Sequence, residues 1–307
     1  MSKLAFIFPG QGAQKAGMGK DFYENSEAAR SFFDQAQKIL DFDLKEMCFG
    51  EHEELNLTEY TQPCMVSVCL AIVQELKKRG INPDITAGLS LGEYAAVAAA
   101  GGMNELDAIK LVRRRGILMQ STVPAGEGAM AAVLGLDAKK IEEILESFEK
   151  KYPHLSISYS YLEENELMEG LKASLALKEA GAKRVVELKV SGPFHSLLLK
   201  PAGEALLKEM ESMSFSPLQV PYVANATAEI VTDSKKISTF FAKGIYSSVR
   251  WQQSIEIMLE NGVDTFVEIG PGKTLAGFMR KIAPKATVYN VSSFEDAIAL
   301  EKCLSKA

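Results

Sequence analysis

Short apolar segments alternate with longer helical patterns along this sequence, and this alternation limits the possible folds more than any other feature. The strand candidates are bounded by Gly, Pro or Asp and occupy residues 4–8, 85–87, 221–224, 265–269 and 287–291. Helical patterns lie between them, for example over residues 63–78 and 104–120. Strands that alternate with helices are typical of a mostly parallel sheet covered by helices. The sequence therefore predicts an α/β fold with a central, mostly parallel sheet flanked by helices.

The segment 127–193 departs from this alternation. Its strand candidates flank two charged helical patterns and occupy residues 130–134, 155–160 and 185–190. This order is typical of a small α+β subdomain inserted into a larger unit. We therefore expect a large catalytic domain formed by residues 1–126 and 194–307, interrupted by the insertion 127–193.

The charge balance and the apolar content exclude several classes of protein. The 307 residues are 47% apolar, which suits a large core, and 34 basic against 40 acidic residues give a net charge of −6. Nucleic-acid-binding proteins carry a basic surface, so we expect no nucleic-acid partner. No apolar stretch reaches the roughly 20 residues of a membrane span, so we expect no membrane partner. A monomer is the default expectation.

The cysteines and histidines do not form a metal-binding pattern. The four cysteines lack CxxC spacing, and only three histidines are available to join them. We therefore expect no metal site and no disulfide framework. The apolar run at residues 4–8 is too short for a signal peptide. A reducing, cytoplasmic location is the resulting prediction.

The pentapeptide Gly88-Leu89-Ser90-Leu91-Gly92 is a complete GxSxG motif. A bare match is also compatible with an ordinary tight turn, but here a strand pattern precedes it and a helical pattern follows it. In that context the serine lies on a sharp strand-to-helix turn with its hydroxyl exposed, as in hydrolase-like α/β folds. Ser90 is therefore the predicted nucleophile. The Leu91 N–H, at the helix N-terminus, could then stabilise an oxyanion.

A serine nucleophile needs a neighbouring base, and histidine has the best-matched pKa. His52 lies in an acidic run and His154 in a linker, so both are typical of solvated loops. His195 follows the apolar run 185–190, where a strand leads into a loop. A lone histidine near a core is more often structural, but the presence of Ser90 favours His195 as the catalytic base.

Five motifs extend this pattern over nearly the whole chain, and they are FPGQG at 8–12, GLSLGEY at 88–94, RGILMQ at 115–120, GPFHS at 192–196 and EIGPGK at 268–273. In this order they resemble the malonyl-CoA:acyl carrier protein transacylases and the related acyltransferase domains of fatty-acid and polyketide synthases. The resemblance implies a hydrolase-like large domain with a small ferredoxin-like insertion. It also implies transfer of malonyl from malonyl-CoA to the phosphopantetheine thiol of acyl carrier protein, in fatty acid biosynthesis.

The resemblance assigns a ping-pong mechanism in which Ser90 forms the acyl ester and His195 is the base. No bound cofactor is implied, because the coenzyme A thioester is the substrate. The oxyanion donors would be the backbone N–H groups of Gln11 and Leu91. The backbone carbonyl of Arg250 would orient the histidine.

Two further residues would bind the acyl group. Arg115 would bind the free carboxylate of malonate, a role that suits the bidentate guanidinium. Its other interpretation is a solvated member of the Arg113–Arg115 run. Phe194 resembles the bulky residue associated with malonyl rather than methylmalonyl selection, and it is also compatible with ordinary core packing.

One segment differs from the family pattern. The family carries an Asn-containing stretch followed by Pro-Gly-Gln in the small subdomain, but here residues 158–161 run directly into 162–165. No Pro or Gly occurs between Pro153 and Gly170, and the pattern there is helical. We therefore expect an insertion short of one strand, with altered carrier-protein docking or reduced activity.

Two other functions remain open at this point. A serine hydrolase or thioesterase of related fold, such as a patatin-type enzyme, would share the serine turn. It would also carry an Asp in a DGG or DGA context, and the sequence has neither. A non-catalytic module that binds carrier protein is the second alternative.

Overall fold

The computed structural model describes residues 3–123, 131–134, 138–151, 166–168, 177–187 and 194–305. The strands are β1 Lys3–Phe8, β2 Ile85–Gly88, β3 Ala131–Leu134, β4 Glu166–Met168, β5 Arg184–Glu187, β6 Tyr222–Val223, β7 Ile230–Val231, β8 Val263–Ile269 and β9 Thr287–Val291. The first seven helices are α1 Lys20–Asn25, α2 Glu27–Gln37, α3 Leu44–Phe49, α4 Thr58–Lys78, α5 Gly92–Ala99, α6 Glu105–Thr122 and α7 Ala138–Lys151. Further α-helices are α8 Lys200–Met210, α9 Ile237–Tyr246, α10 Trp251–Glu260, α11 Thr274–Ile282 and α12 Phe294–Leu304.

Six strands form the central sheet in the order β7-β6-β2-β1-β8-β9. All neighbouring pairs are parallel except β6 and β7, which are antiparallel. The sheet confirms the predicted α/β class with a mostly parallel sheet.

Both faces of this sheet are buried, as expected for parallel strands covered by helices. Along β1, Phe6 and Phe8 pack into the larger core cluster, whereas Ala5 and Ile7 pack into a second cluster. Successive strand residues point to opposite faces, so the two clusters lie on opposite sides of the sheet. This explains why the strand is continuously apolar rather than alternating.

The carboxyl ends of β1 and β2 lie side by side, with Phe8 paired to Gly88. The loops that follow these strands are in backbone contact, because a Cβ on Gly92 would collide with the Phe8 carbonyl oxygen. A Cβ on Gly10 would lie 2.8 Å from the Leu89 carbonyl oxygen. The glycines therefore allow the FPGQG loop and the GxSxG turn to pack directly against each other.

Helices α4 and α6 also pack at backbone distance. A Cβ on Gly116 would lie 2.8 Å from both the Glu59 Cα and the Thr58 carbonyl oxygen. The predicted helix 63–78 begins earlier than expected, at Thr58, so Pro63 lies inside α4. Proline cannot donate to the carbonyl four residues before it, which is that of Glu59. The Arg113 Nη1 donates to that carbonyl instead, at 2.8 Å.

A second sheet has the order β4-β3-β5, with antiparallel pairing on both sides of β3. The helical pattern predicted after residue 162 is wrong for residues 166–168, which form β4. Pairing with β3 overrides the local preference there. The strand predicted at 155–160 and the atypical segment 158–165 lie outside the described residues. The domain bounds and the missing strand therefore stay predictions.

No helix in the described part of the chain combines the length and the apolar character needed to span a membrane.

Candidate active site

Ser90 occupies a sharp turn between β2, which ends at Gly88, and α5, which begins at Gly92. Its φ is +54°, in the left-handed region that residues with a Cβ rarely adopt. A Cβ on Gly88 would collide with the backbone of Gly92, so the turn also requires glycine there. The backbone strain is typical of the nucleophile turn of α/β hydrolase-like enzymes.

Asn225 holds this turn, and the sequence analysis missed it. Its Oδ1 accepts from the Ser90 N–H at 2.7 Å, and its Nδ2 donates to the Gly88 carbonyl at 2.7 Å. Its own N–H donates to the Glu93 Oε1 at 3.0 Å. A signal was available, because Asn225 is a polar residue directly after the predicted strand 221–224, at the sheet edge where site residues collect.

His195 lies against the nucleophile. Its Nε2 is 2.8 Å from the Ser90 Oγ, and its Nδ1 is 2.9 Å from the Gly244 carbonyl oxygen. A carbonyl can only accept, so Nδ1 carries the hydrogen and Nε2 is left as the acceptor for the serine proton. His195 also has a positive φ, of 63°. The structure therefore brings together the predicted nucleophile and the predicted base, which are 105 residues apart in the chain.

The prediction that the Arg250 carbonyl orients His195 is wrong. That carbonyl accepts from the Ser254 N–H at 2.9 Å and from the Ser254 Oγ at 2.7 Å, within the first turn of α10. Gly244 lies in the last turn of α9, where backbone carbonyls have no partner within the helix. A helix C-terminus also favours a positive charge, so it both orients the imidazole and stabilises its protonated form.

Burial, followed by the positive charge of Arg115, lowers the pKa of His195 to about 4. Its hydrogen bond to the Gly244 carbonyl acts in the opposite direction. The imidazole is therefore neutral at pH 7 in the free protein, as a general base must be.

Arg115 enters the site from α6 and is only 2% exposed. Its Nη2 donates to the Ser90 Oγ at 3.1 Å, and its guanidinium lies 5.4 Å from the centre of the Tyr94 ring. The Nε is buried and has no hydrogen-bond partner within the described part of the chain. Burial lowers the pKa of Arg115, whereas Tyr94 and Glu93 raise it. A buried guanidinium beside the nucleophile thus has free donor capacity.

Glu93 carries the carboxyl group that raises the pKa of Arg115, but this carboxyl does not neutralise the guanidinium. Burial raises the pKa of Glu93 to about 8, against the lowering effects of the Asn225 N–H and of Arg115. Glu93 is therefore mostly protonated at pH 7. Among the described residues, the ion pairs include none with Arg115.

The predicted oxyanion donors lie in the two loops that pack together at the end of β1 and β2. Leu91 is buried and directly precedes α5, and the Leu89 N–H donates to the Phe8 carbonyl at 2.9 Å. The half-buried Gln11 is held by a 3.2 Å hydrogen bond from its Nε2 to the Thr58 Oγ1. The roles of the Gln11 and Leu91 N–H groups stay predictions.

The remaining candidates have simpler surroundings. Phe194 is half-buried and packs against the larger core cluster, and its role in acyl selection stays a prediction. His52 is partly exposed and lies 3.0 Å from the Glu46 Oε1. His154 lies outside the described residues.

Comparisons with known proteins agree with this geometry. Residues 5–293 match the acyl transferase domain family. A Bacillus subtilis protein named malonyl CoA-acyl carrier protein transacylase is 40% identical over 301 residues, covering 96% of this chain and 95% of that protein.

Solved structures show the same likeness. The crystal structure of the corresponding Streptococcus pneumoniae enzyme, MCAT, superposes with a TM-score of 0.93 at 37% identity, covering 98% of this chain and 100% of the other. A complex of a type II polyketide acyl carrier protein with its malonyl-transacylase matches with a TM-score of 0.93 at 33% identity, again covering 98% and 100%.

Proposed function

Because this chain belongs to the malonyl-CoA:acyl carrier protein transacylase family of acyltransferases, we propose that it transfers malonyl from coenzyme A to the phosphopantetheine thiol of an acyl carrier protein. The observation that carries this proposal is Arg115, a buried guanidinium that has no ion-pair partner among the described residues and lies 3.1 Å from the Ser90 Oγ. A short acyl group bound to Ser90 and ending in a carboxylate would place that carboxylate near the guanidinium. Malonyl has this structure, whereas acetyl lacks the second carboxylate.

The first half of the reaction forms the acyl ester. The Ser90 Oγ attacks the thioester carbon while the His195 Nε2 takes the hydroxyl proton. The oxyanion is stabilised by the Gln11 and Leu91 N–H groups, and the imidazolium by the Gly244 carbonyl. The carbon–sulfur bond then breaks, and His195 returns the proton to the departing coenzyme A thiol.

The second half repeats these steps with a different nucleophile. His195 takes the proton of the phosphopantetheine thiol, the sulfur attacks the ester carbon, and the Ser90 Oγ leaves with the proton. Each half exchanges one acyl bond for another, so the chemistry needs no cofactor. The transfer would supply malonyl units for fatty acid or polyketide synthesis.

Arg115 also argues against the hydrolase alternative. Binding the malonyl carboxylate compensates its buried charge, whereas a neutral acyl chain would leave the guanidinium unpaired. A lipid or simple ester hydrolase has no use for a buried cation in its acyl pocket. A purely binding module, in turn, has no use for a neutral histidine within hydrogen-bonding distance of a strained serine.

The test is acyl labelling with radioactive malonyl-CoA, followed by a chase with carrier protein. We expect a stable label on Ser90 that moves to the carrier protein. Release only as free malonate would establish a hydrolase, and absence of label would establish a binding module.

Two variants control this experiment. His195→Ala should lower the labelling rate by at least about 10³-fold, because the variant loses both the general base and the hydrogen bond that orients the serine hydroxyl. The control is His52→Ala. Among the described residues, the His52 ring hydrogen-bonds to Glu46, outside the active site, so this variant should label at the wild-type rate. Equal rates for both variants would contradict the role of His195.

A further inference from the structure

The side chain of Asn225 bridges two backbone groups of the serine turn that are two residues apart. It accepts from the Ser90 N–H and donates to the Gly88 carbonyl, each at 2.7 Å. Only a carboxamide of this length offers a donor and an acceptor side by side. Aspartate keeps the acceptor but lacks the donor when ionised, and alanine lacks both. The site therefore selects for asparagine by hydrogen-bond chemistry and not merely by size.

The backbone of Asn225 is fixed on both sides. Its N–H donates to the Glu93 Oε1 at 3.0 Å, and its carbonyl accepts from the Arg250 N–H at 2.9 Å. Glu93 lies in the first turn of α5, directly after the serine turn. Asn225 itself is 2% exposed, so water does not replace these bonds easily. These backbone contacts fix the position from which the Asn225 side-chain amide binds the serine turn.

The bridged turn is strained. Ser90 has a φ of +54°, which is unfavourable for a residue with a Cβ unless its surroundings impose it. This conformation aims the Ser90 Oγ at both the His195 Nε2, at 2.8 Å, and the Arg115 Nη2, at 3.1 Å. If residue 90 relaxed to an ordinary φ, the Oγ would move away from both groups.

We propose that Asn225 is the positioning residue of this site, which holds Ser90 in its left-handed conformation and so keeps the hydroxyl aligned with its base. This inference rests on the proposed function for the identity of the acyl donor, but not for the reactivity of the serine. Asn225 contacts the backbone of the turn and does not act on the substrate itself.

The test compares Asn225→Ala and Asn225→Asp with Asn104→Ala. Asn104 caps α6 by accepting from the Leu106 and Asp107 N–H groups, so its loss destabilises the fold without changing the serine turn. Single-turnover acylation by malonyl-CoA, KM and Tm are measured for each variant. A fluorophosphonate probe adds an independent measure of serine reactivity. In that reaction the Ser90 Oγ bonds to phosphorus, fluoride leaves, and His195 takes the hydroxyl proton.

Misalignment of reacting groups by about 1 Å costs on the order of 100-fold in rate. We expect Asn225→Ala to lower both acylation and fluorophosphonate labelling by about this factor, with KM for malonyl-CoA changed less than about threefold. Asn225→Asp, which keeps the acceptor for the Ser90 N–H, should lose roughly tenfold. Asn104→Ala should react at the wild-type rate within about twofold, even though its Tm falls.

Retention of the wild-type labelling rate in Asn225→Ala, within threefold, would overturn the proposal, and so would an equal loss in Asn104→Ala. If Asn225→Ala does not fold, the nearly isosteric Asn225→Asp tests the positioning role in its place. A wild-type labelling rate in that variant would then overturn the proposal. The two proposals fail separately. Wild-type protein that reacts with fluorophosphonate but not with malonyl-CoA would contradict the proposed function, whereas an unchanged fluorophosphonate rate in Asn225→Ala would contradict the positioning role.

Discussion

Arg113 and Arg115 lie two residues apart on α6 but have opposite surroundings. Arg113 forms ion pairs with Asp41 and Glu59, both at 3.0 Å, and its guanidinium also lies against two aromatic rings. The Asp41 carboxyl has a lowered pKa because of its hydrogen bond from Arg113, so it is ionised at neutral pH. Arg115 is more deeply buried, yet the neighbouring Glu93 carboxyl is mostly protonated at pH 7, because its pKa is about 8. Within the described part of the chain, Arg113 has two ion-pair partners and Arg115 has none.

The difference separates a structural arginine from a ligand-binding one. Burying a charge is unfavourable unless it is paired, so a folded chain tolerates an uncompensated guanidinium only where the rest of the structure supports it. Arg113 also has a structural role, because it donates a hydrogen bond to the Glu59 carbonyl, which Pro63 cannot reach with an N–H. At Arg115 the missing carboxylate is the one that we assign to the substrate.

The largest effect that tests this comparison is expected for Arg115→Ala. Removing a buried partner of a charged group costs several kcal/mol in binding, so malonyl transfer should fall by at least about 100-fold. Acetyl transfer should fall by less than about tenfold, since acetyl has no carboxylate for the guanidinium. The ratio of kcat/KM for malonyl-CoA and acetyl-CoA measures this selectivity. Equal losses for both substrates would remove the carboxylate-binding role.

Arg113→Ala should produce an intermediate effect, on stability rather than on selectivity. The substitution removes the donor to the Glu59 carbonyl and the ion-pair partner of the Asp41 and Glu59 carboxylates, so we expect the free energy of unfolding to fall by about 2 kcal/mol. The selectivity ratio should stay unchanged. Urea unfolding measures the loss, and Arg114→Ala is the matched control. Arg114 is half-exposed and pairs only with Glu209 among the described acidic residues, so its loss should cost less than about 0.5 kcal/mol.

The smallest effect concerns the pH dependence of stability through Glu93. Its pKa in the folded protein, about 8, exceeds the ordinary value of 4.5, so its stabilising contribution is complete below pH 4.5 and is lost as the pH rises through about 8. Glu93→Gln removes this titration. We expect the unfolding free energy of the wild type to fall, relative to the variant, by on the order of 1 kcal/mol between pH 6 and pH 7. Parallel stability curves would show that Glu93 is ionised, and the contrast with Arg113 would then be weaker.

Short motifs were enough to predict which side chains meet at this site. The GxSxG turn forces residue 90 into a special backbone conformation through contacts with its own neighbours, so local sequence carries the information. Ser90, His195 and Arg115 were all predicted and all meet in one place. The alternation of strands and helices similarly predicted the sheet, because each parallel strand needs helical cover on both faces.

Contacts made by the backbone were not predictable in this way. The carbonyl that holds His195 belongs to Gly244, a residue without a side chain, and the availability of this carbonyl depends on where α9 ends. Asn225 reaches the serine turn through the register of β6 beside β2, a long-range property of the sheet. The start of α4 was misplaced because Pro63 is tolerated through a partner on another helix. In each case the deciding neighbour is distant in the sequence.

Gly116 connects the proposed selectivity for malonyl to the packing of two helices. Its lack of a side chain lets α6 rest directly on the backbone of α4 one residue after Arg115. The distance between α4 and α6 therefore determines how far the Arg115 guanidinium extends toward Ser90. A larger side chain at residue 116 would push α6 away from α4 and move Arg115 away from Ser90. The preference for acyl groups that end in a carboxylate would then change without any substitution at a residue that contacts the substrate.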